Sequence, residues 1–392
     1  MKKLLSLIFA SILLLALPAI SLAETQDDLE AAYQEANAFY KAGDYAQARE
    51  ALDALVEKGY GKACSLIGKG YINGCFTADG EPDYTAAYEW YNKSVEMGYG
   101  KAYLQIGVMY YHGQLSADGN ADYNKALECF LKAADAGSSS SMYNIGQLYH
   151  TGKVTEDGQP NYSKAYEWFL KATEHGHQAS HSMLGEFYRK GRITENGEPD
   201  FAAAYEWYMK GAELGDEYSM HDIAEGYRDG WWSDAPDYQK ALDWYIKSDQ
   251  AGRSCSAGHI ADLLQKGAVA EDGTVLLEKN PARAFEYLLK AHEKQPENTN
   301  VLGWLGWYYA GNDPTAVDAD YAKALEYFTK GVELGDGYCM YMIGRMYEYG
   351  TLGERDAAKA IEWLEKAVTA GYTYAQNELD ALKADAGEQD GQ

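Results

Sequence analysis

The chain has 392 residues, with 34 basic against 60 acidic side chains and a formal net charge of −26. Such a field repels nucleic acid and anionic lipid headgroups, so neither is an expected partner. Five cysteines, an odd number, leave at least one thiol unpaired in a monomer and speak against a disulfide framework.

Residues 1–23 read as a signal peptide. Lys2 and Lys3 supply the positive start, Leu4 to Ile20 is almost wholly apolar, and Ser21-Leu22-Ala23 offers small residues for cleavage. The run is short for a membrane span and is followed by Glu24 rather than a cysteine that could carry lipid. A periplasmic or secreted protein with no stable membrane anchor after cleavage is the expectation. Loss of Lys2 and Lys3 with no acid moves the charge from −26 to −28 over 369 residues.

Residues 24–61 hold one degenerate hairpin, near 27–59, with Tyr40, Gly43-Asp44-Tyr45 and Ala48. From 62 to 371 the chain repeats itself. Ala102 to Gly137 and the next unit, ending at Gly176, share Ile-Gly, a tyrosine, a glycine, an Asp-Gly turn, Lys-Ala, an aromatic, a second Lys-Ala and a closing glycine. Gly68, Gly107, Gly146 and Gly185 stand 39 residues apart, and Ala224, Ala261, Gly306 and Gly344 continue the series with looser spacing. Residues 372–392 contain a capping helix, Tyr374 to Lys383, and a tail.

Each unit predicts two antiparallel helices. Tyr123, Ala126, Leu127, Phe130, Leu131 and Ala134 form one apolar stripe, with Asp122 as N-cap and Gly137 as left-handed C-cap. Asp83, Asn161, Asp200, Asp237 and Asp320 take the same capping place. The in-phase tryptophans Trp90, Trp168, Trp207, Trp244 and Trp363 are expected in the core. One hairpin cannot bury two apolar faces alone, so stacked units must complete the core. The fold class is all-α, an α/α superhelical solenoid of about nine hairpins. The glycine inside each first helix implies close packing that admits a methyl and little more, so Gly146→Ala is expected to be mild and Gly146→Leu harmful. A single helix joining Cys64 to Cys75 would hold them about 16 Å apart, beyond disulfide reach.

These motifs, Ala102, Ile106, Gly107, Tyr110 and Gly113 in the first helix and Lys164, Ala165, Trp168, Phe169, Lys171, Ala172 and Gly176 in the second, resemble the Sel1-like repeat family, a relative of the tetratricopeptide repeat. The first hairpin resembles a tetratricopeptide repeat more closely. The resemblance implies an adaptor, in bacteria often exported and tied to envelope regulation or host contact. It further implies that first helices line a concave face. Carried over by the Ile-Gly anchor, Lys69, Tyr111, Tyr143, His150, Arg189, His221, Arg228, Trp307, Tyr341 and Arg345 point inward. Tyrosine, tryptophan and arginine dominate interface hot spots, so a protein or peptide partner is expected on this face of a monomeric, non-enzymatic scaffold that needs no cofactor and no metal.

Two rival readings remain. A cysteine-rich branch of the family is linked to β-lactam hydrolysis, but this chain lacks the paired cysteines of that branch and the S-x-x-K, S-D-N and K-T-G sequences of serine β-lactamases. His175, His177 and His181 offer imidazoles at a spacing that suits a metal-binding envelope protein, but no cysteine or carboxylate at motif spacing joins them and His175 lies across a turn, so a polar turn between repeats is the preferred account. The Asp-Gly loops, such as Thr155 to Tyr162, read as turns and caps because the alternating ligands of a calcium loop are absent.

Overall fold

The computed structural model describes residues 25–233 and 235–389; the signal-peptide reading falls on residues outside them. Nine helical hairpins follow one another among the described residues. Up to Gly176 they are α1 (Gln26–Ala42) with α2 (Tyr45–Glu57), α3 (Gly61–Ile72) with α4 (Tyr84–Glu96), α5 (Tyr103–Tyr111) with α6 (Tyr123–Asp135), and α7 (Ser139–His150) with α8 (Tyr162–Glu174). From His177 a second compact unit holds α9 (Ser180–Arg189) with α10 (Phe201–Glu213), α11 (Glu217–Asp229) with α12 (Tyr238–Ala251), α13 (Ser256–Lys266) with α14 (Pro281–Lys294), α15 (Thr299–Tyr309) with α16 (Tyr321–Glu333), and α17 (Gly337–Glu348) with α18 (Ala357–Thr369). A last helix, α19 (Ala375–Gln389), packs on α18. A small antiparallel ribbon, β1 (Ala268–Val269) and β2 (Val275–Leu277), fills the loop after α13.

The caps follow the sequence. Asp122 accepts the Lys125 N–H at 3.0 Å, and Asp83, Asn161, Asp200, Asp237 and Asp320 do the same three residues on. Gly137 adopts φ +79°, with its own N–H bonded to the Ala134 carbonyl and the Ser138 N–H to the Ala133 carbonyl, a Schellman end. Each N-cap also donates its backbone N–H to the motif tyrosine of the preceding helix, as Asp122 does to the Tyr110 carbonyl at 2.9 Å and Asn161 to Tyr149 at 2.8 Å. The loop is thereby tied to the end of the first helix. Inside it Asp157 accepts the Gln159 N–H at 3.0 Å, which makes these segments Asx turns.

The apolar clusters cross from one hairpin to the next. Tyr40, Leu52 and Leu55 of the first hairpin share a cluster with Cys64, Leu66 and Ile67 of α3, and Phe130 of α6 shares one with Ile145 and Leu148 of α7 and Ala172 of α8. In the second unit Tyr208 of α10 joins Ile223 of α11. Each of these clusters among the described residues draws on more than one hairpin, as two-faced amphipathicity demands.

Three expectations need correction. The helix-two tryptophans Trp90, Trp168, Trp207, Trp244 and Trp363 are half-buried. The core position is the residue after each, and Tyr91, Phe169, Tyr208, Tyr245 and Leu364 are at most 1 % exposed. Each tryptophan instead carries the ammonium of the lysine three residues on, at 3.9 Å for Lys247 on Trp244 and 4.3–4.7 Å for the other four pairs. Second, a Cβ on Gly146 would fall 2.6 Å from Cε1 of the fully buried Phe169, so the gap does not admit even a methyl freely. Third, α3 ends at Ile72, so no helix joins Cys64 to Cys75; all five thiols are free.

Candidate partner-binding face

The candidate residues sit on first helices, and the structure groups them unevenly. In the first unit Tyr111 of α5 and Tyr143 of α7 line one cavity of about 260 Å³ with Val108, His112, Phe130, Asn144, Gln147 and Thr151. Val108 and Phe130 give it apolar lining, and Asn144 and Gln147 bring amides to it. Gln147 donates to the Tyr143 hydroxyl at 2.8 Å, and the Tyr143 ring leans on Phe169 with centroids 5.4 Å apart. The Lys153 ammonium donates to the Tyr111 hydroxyl at 2.5 Å and lies 4.2 Å from that ring's centroid. Both tyrosines are held in place before any ligand arrives. The volume falls below the roughly 300–1,000 Å³ of small-molecule sites and suits an inserted side chain. His150 of α7 faces the Tyr162 ring at 5.8 Å, outside this cavity, and Lys69 of α3 is exposed.

In the second unit the Arg189 guanidinium of α9 lies 4.8 Å from the centroid of a Trp231 ring. His221 and Arg228 of α11 meet in a polar network. Arg228 donates to Glu225 at 2.7 Å and to the Tyr245 hydroxyl at 3.1 Å, and Asp229 holds it from the other side with two bonds, at 2.7 and 3.0 Å. Tyr245 also donates to Glu225, at 3.1 Å. Burial, with His259, Arg253 and Arg228 nearby, pushes His221 down to about 3, so its imidazole is neutral at pH 7. Burial lifts the neighbouring Asp222 carboxyl to about 7 against the pull of Arg189, and Glu186 and Glu225 push it the same way.

Trp307 of α15 and Tyr341 of α17 belong to the packing between neighbouring hairpins of the second unit. Trp307 is edge-on to Trp304 and Tyr308 at 5.5 and 5.1 Å and touches two apolar clusters. Tyr341 packs on Tyr372 at 5.2 Å, and Arg345 lies 3.6 Å from Glu378 of α19. Of the three turn histidines, His175 Nδ1 lies 3.0 Å from the Lys171 carbonyl, His177 Nδ1 3.0 Å from the Ser180 hydroxyl and His181 Nδ1 2.9 Å from the Gln178 carbonyl. Each is occupied locally.

The sequence reading missed Asn144, Gln147, Glu225 and His259. It sought aromatic and basic residues, which passes over the first three. His259 stands two residues before Ala261, whereas the chosen positions lie three before, one after or four after the anchor.

The Sel1 repeat model matches residues 62–99, 100–138, 139–177, 178–216, 218–248, 267–294, 302–336 and 337–372. Among solved structures the chain is similar to a Sel1 repeat protein from Oxalobacter formigenes, at 26% identity over 66% of this chain and 96% of that one, with a TM-score of 0.51. It is also similar to a protective antigen of uropathogenic Escherichia coli strains with an SLR fold, at 26% identity over 90% of this chain and 81% of that one, with a TM-score of 0.38. No curated protein matches.

Proposed function

The chain belongs to the Sel1 repeat family, and from that premise we propose that it is an exported, non-catalytic scaffold, periplasmic or secreted, whose first-helix faces hold a segment of a protein partner in envelope regulation or host contact. The observation that carries the binding reading is the cavity between α5 and α7. Its tyrosines are fixed by Lys153 and Gln147, and its lining joins the apolar Val108 and Phe130 to amides able to bond a peptide backbone. Rigid aromatic anchors lose little entropy on binding, which is why such residues concentrate affinity.

Selection of a displayed peptide library on the purified chain tests it. Selected peptides should lose at least tenfold in affinity for Tyr143→Ala and for Asn144→Arg, the second of which fills the cavity while leaving the core rings in place. Unchanged affinity for both variants refutes the assigned face. For export, fusion of residues 1–23 to a phosphatase active only outside the cytoplasm should give activity; an inactive but stable fusion overturns that part.

A further inference from the structure

Among the described residues, His221, Glu225 and His259 bring three metal-donor atoms within 4.8 Å of one another. We propose that these side chains bind one zinc ion, through Nε2 of His221, a carboxylate oxygen of Glu225 and a ring nitrogen of His259, with a fourth position left for water or a group from a partner.

The placement follows from the helices. His221 and Glu225 are four residues apart on α11 and share its face, with His221 Nε2 3.9 Å from Glu225 Oε1. His259 comes from α13, whose Ala257, Ile260 and Ala261 pack in one cluster with Ala224 of α11. The His221 and His259 rings lie 5.1 Å apart, and His259 is stacked on Tyr245 at 5.0 Å and 7°. Donors around tetrahedral zinc, at about 2.0–2.1 Å from the metal, stand roughly 3.3 Å from each other. Side-chain rotation of about an ångström therefore closes the site.

A chain of hydroxyls fixes the imidazole of His221. Ser248 donates to the Glu217 carbonyl at 2.8 Å, and a carbonyl can only accept. Ser256 must then donate to Ser248, at 2.9 Å, and its oxygen is left to accept from His221 Nδ1, at 3.1 Å. The proton of His221 is thus held on Nδ1 and the Nε2 lone pair faces Glu225 and His259. Outer bonds of this kind orient histidine ligands in zinc sites.

The charges around the cluster allow a dication. Arg228 is matched by its two bonds to Asp229, so Glu225 supplies net negative charge, and its Oε2 carries neither Arg228 nor Tyr245, both of which bond Oε1. Arg253 opposes a cation and Asp262 favours one. Two imidazoles with one carboxylate suit zinc, whereas calcium and magnesium take oxygen donors. Three protein ligands leave one position of a tetrahedral zinc site open.

The test is zinc titration of the purified, chelator-treated chain, free of a histidine tag, by calorimetry and native mass spectrometry. One equivalent should bind, and the metal should raise the melting temperature. His259→Gln should weaken binding at least 100-fold, Ser256→Ala by about 10- to 100-fold, and the paired control His177→Gln with His181→Gln should bind as the parent does. No stoichiometric binding, full binding by His259→Gln, or loss in the control overturns the proposal. Should a variant melt early, cobalt(II) bound to the parent decides: intense visible d–d bands of a four- or five-coordinate site support it, and the pale spectrum of six-coordinate aqueous cobalt refutes it.

Discussion

Gly146→Ala adds one methyl where α7 packs on α8. The new Cβ would lie 2.6, 2.7 and 3.0 Å from Cε1, Cδ1 and Cζ of Phe169, a ring with no exposed surface. Overpacking of this size costs about 1–3 kcal/mol, while alanine in a helix interior recovers about 0.5–1 kcal/mol over glycine. The net expectation is a loss of about 1–2 kcal/mol, or roughly 2–6 °C in melting temperature. Gly344→Ala is the internal control. There the nearest atoms are Leu364 Cγ and Cδ2 at 3.2 and 3.3 Å and the Ala360 carbonyl oxygen at 3.3 Å, which a shift of a few tenths of an ångström relieves, so the two terms should nearly cancel. Thermal and urea melts of both variants, followed by far-ultraviolet circular dichroism, measure the difference. The companion Phe169→Leu should be destabilising alone yet make Gly146→Ala neutral or better on its background. A Gly146→Ala melt at or above that of the parent, or identical shifts at both glycines, refutes the reasoning.

Lys171→Ala should cost only about 0.5–1 kcal/mol, because its ammonium lies 4.4 Å from the centroid of a half-buried Trp168 ring, and a tryptophan emission change should accompany it. Asp313 holds the loop after α15: it accepts from Thr315 at 2.5 Å and Gln265 at 2.8 Å and pairs with Lys279 at 3.3 Å. Those bonds, the Thr315 hydroxyl foremost, lower its carboxyl to about 2. With the folded value depressed, its contribution is complete above about pH 4 and disappears as the pH falls through 2. Asp313→Asn should therefore be less stable than the parent at pH 7, and the difference in urea midpoint should shrink between pH 4 and 2. Trp307→Ala should cost up to about 3 kcal/mol, since the half-buried ring touches two clusters, so partner binding lost in that variant must be read beside its melting curve.

What was legible in the residues was whatever repeats. Asp122 and its counterparts had to be caps because a small acceptor stood at the same offset before every apolar stripe, and the closing glycines had to be left-handed because one follows every second-helix stripe but that of α14, which ends before Gln295. Phase alone did not distinguish Trp168 from Phe169. Both lie near the stripe, and only the packing of α8 on the glycine of α7 decides that the slimmer ring goes inside while the indole stays half-buried under Lys171. The same glycine looked tolerant because Ala224 and Ala261 replace it elsewhere. Ala224 still keeps the 39-residue interval from Gly185 and Ala261 follows after 37, but Ala224 stands 21 residues before the buried Tyr245 where Gly146 stands 23 before Phe169, so the second helix is reached by a shorter loop. The grouping of His221 with Glu225 and His259 was hidden for a related reason. Two of them share a helix face, but the third enters from the next hairpin, after an interval that no local spacing rule contains. A repeat reveals its shared core through its periodicity, and its individual chemistry must sit where the periodicity is broken.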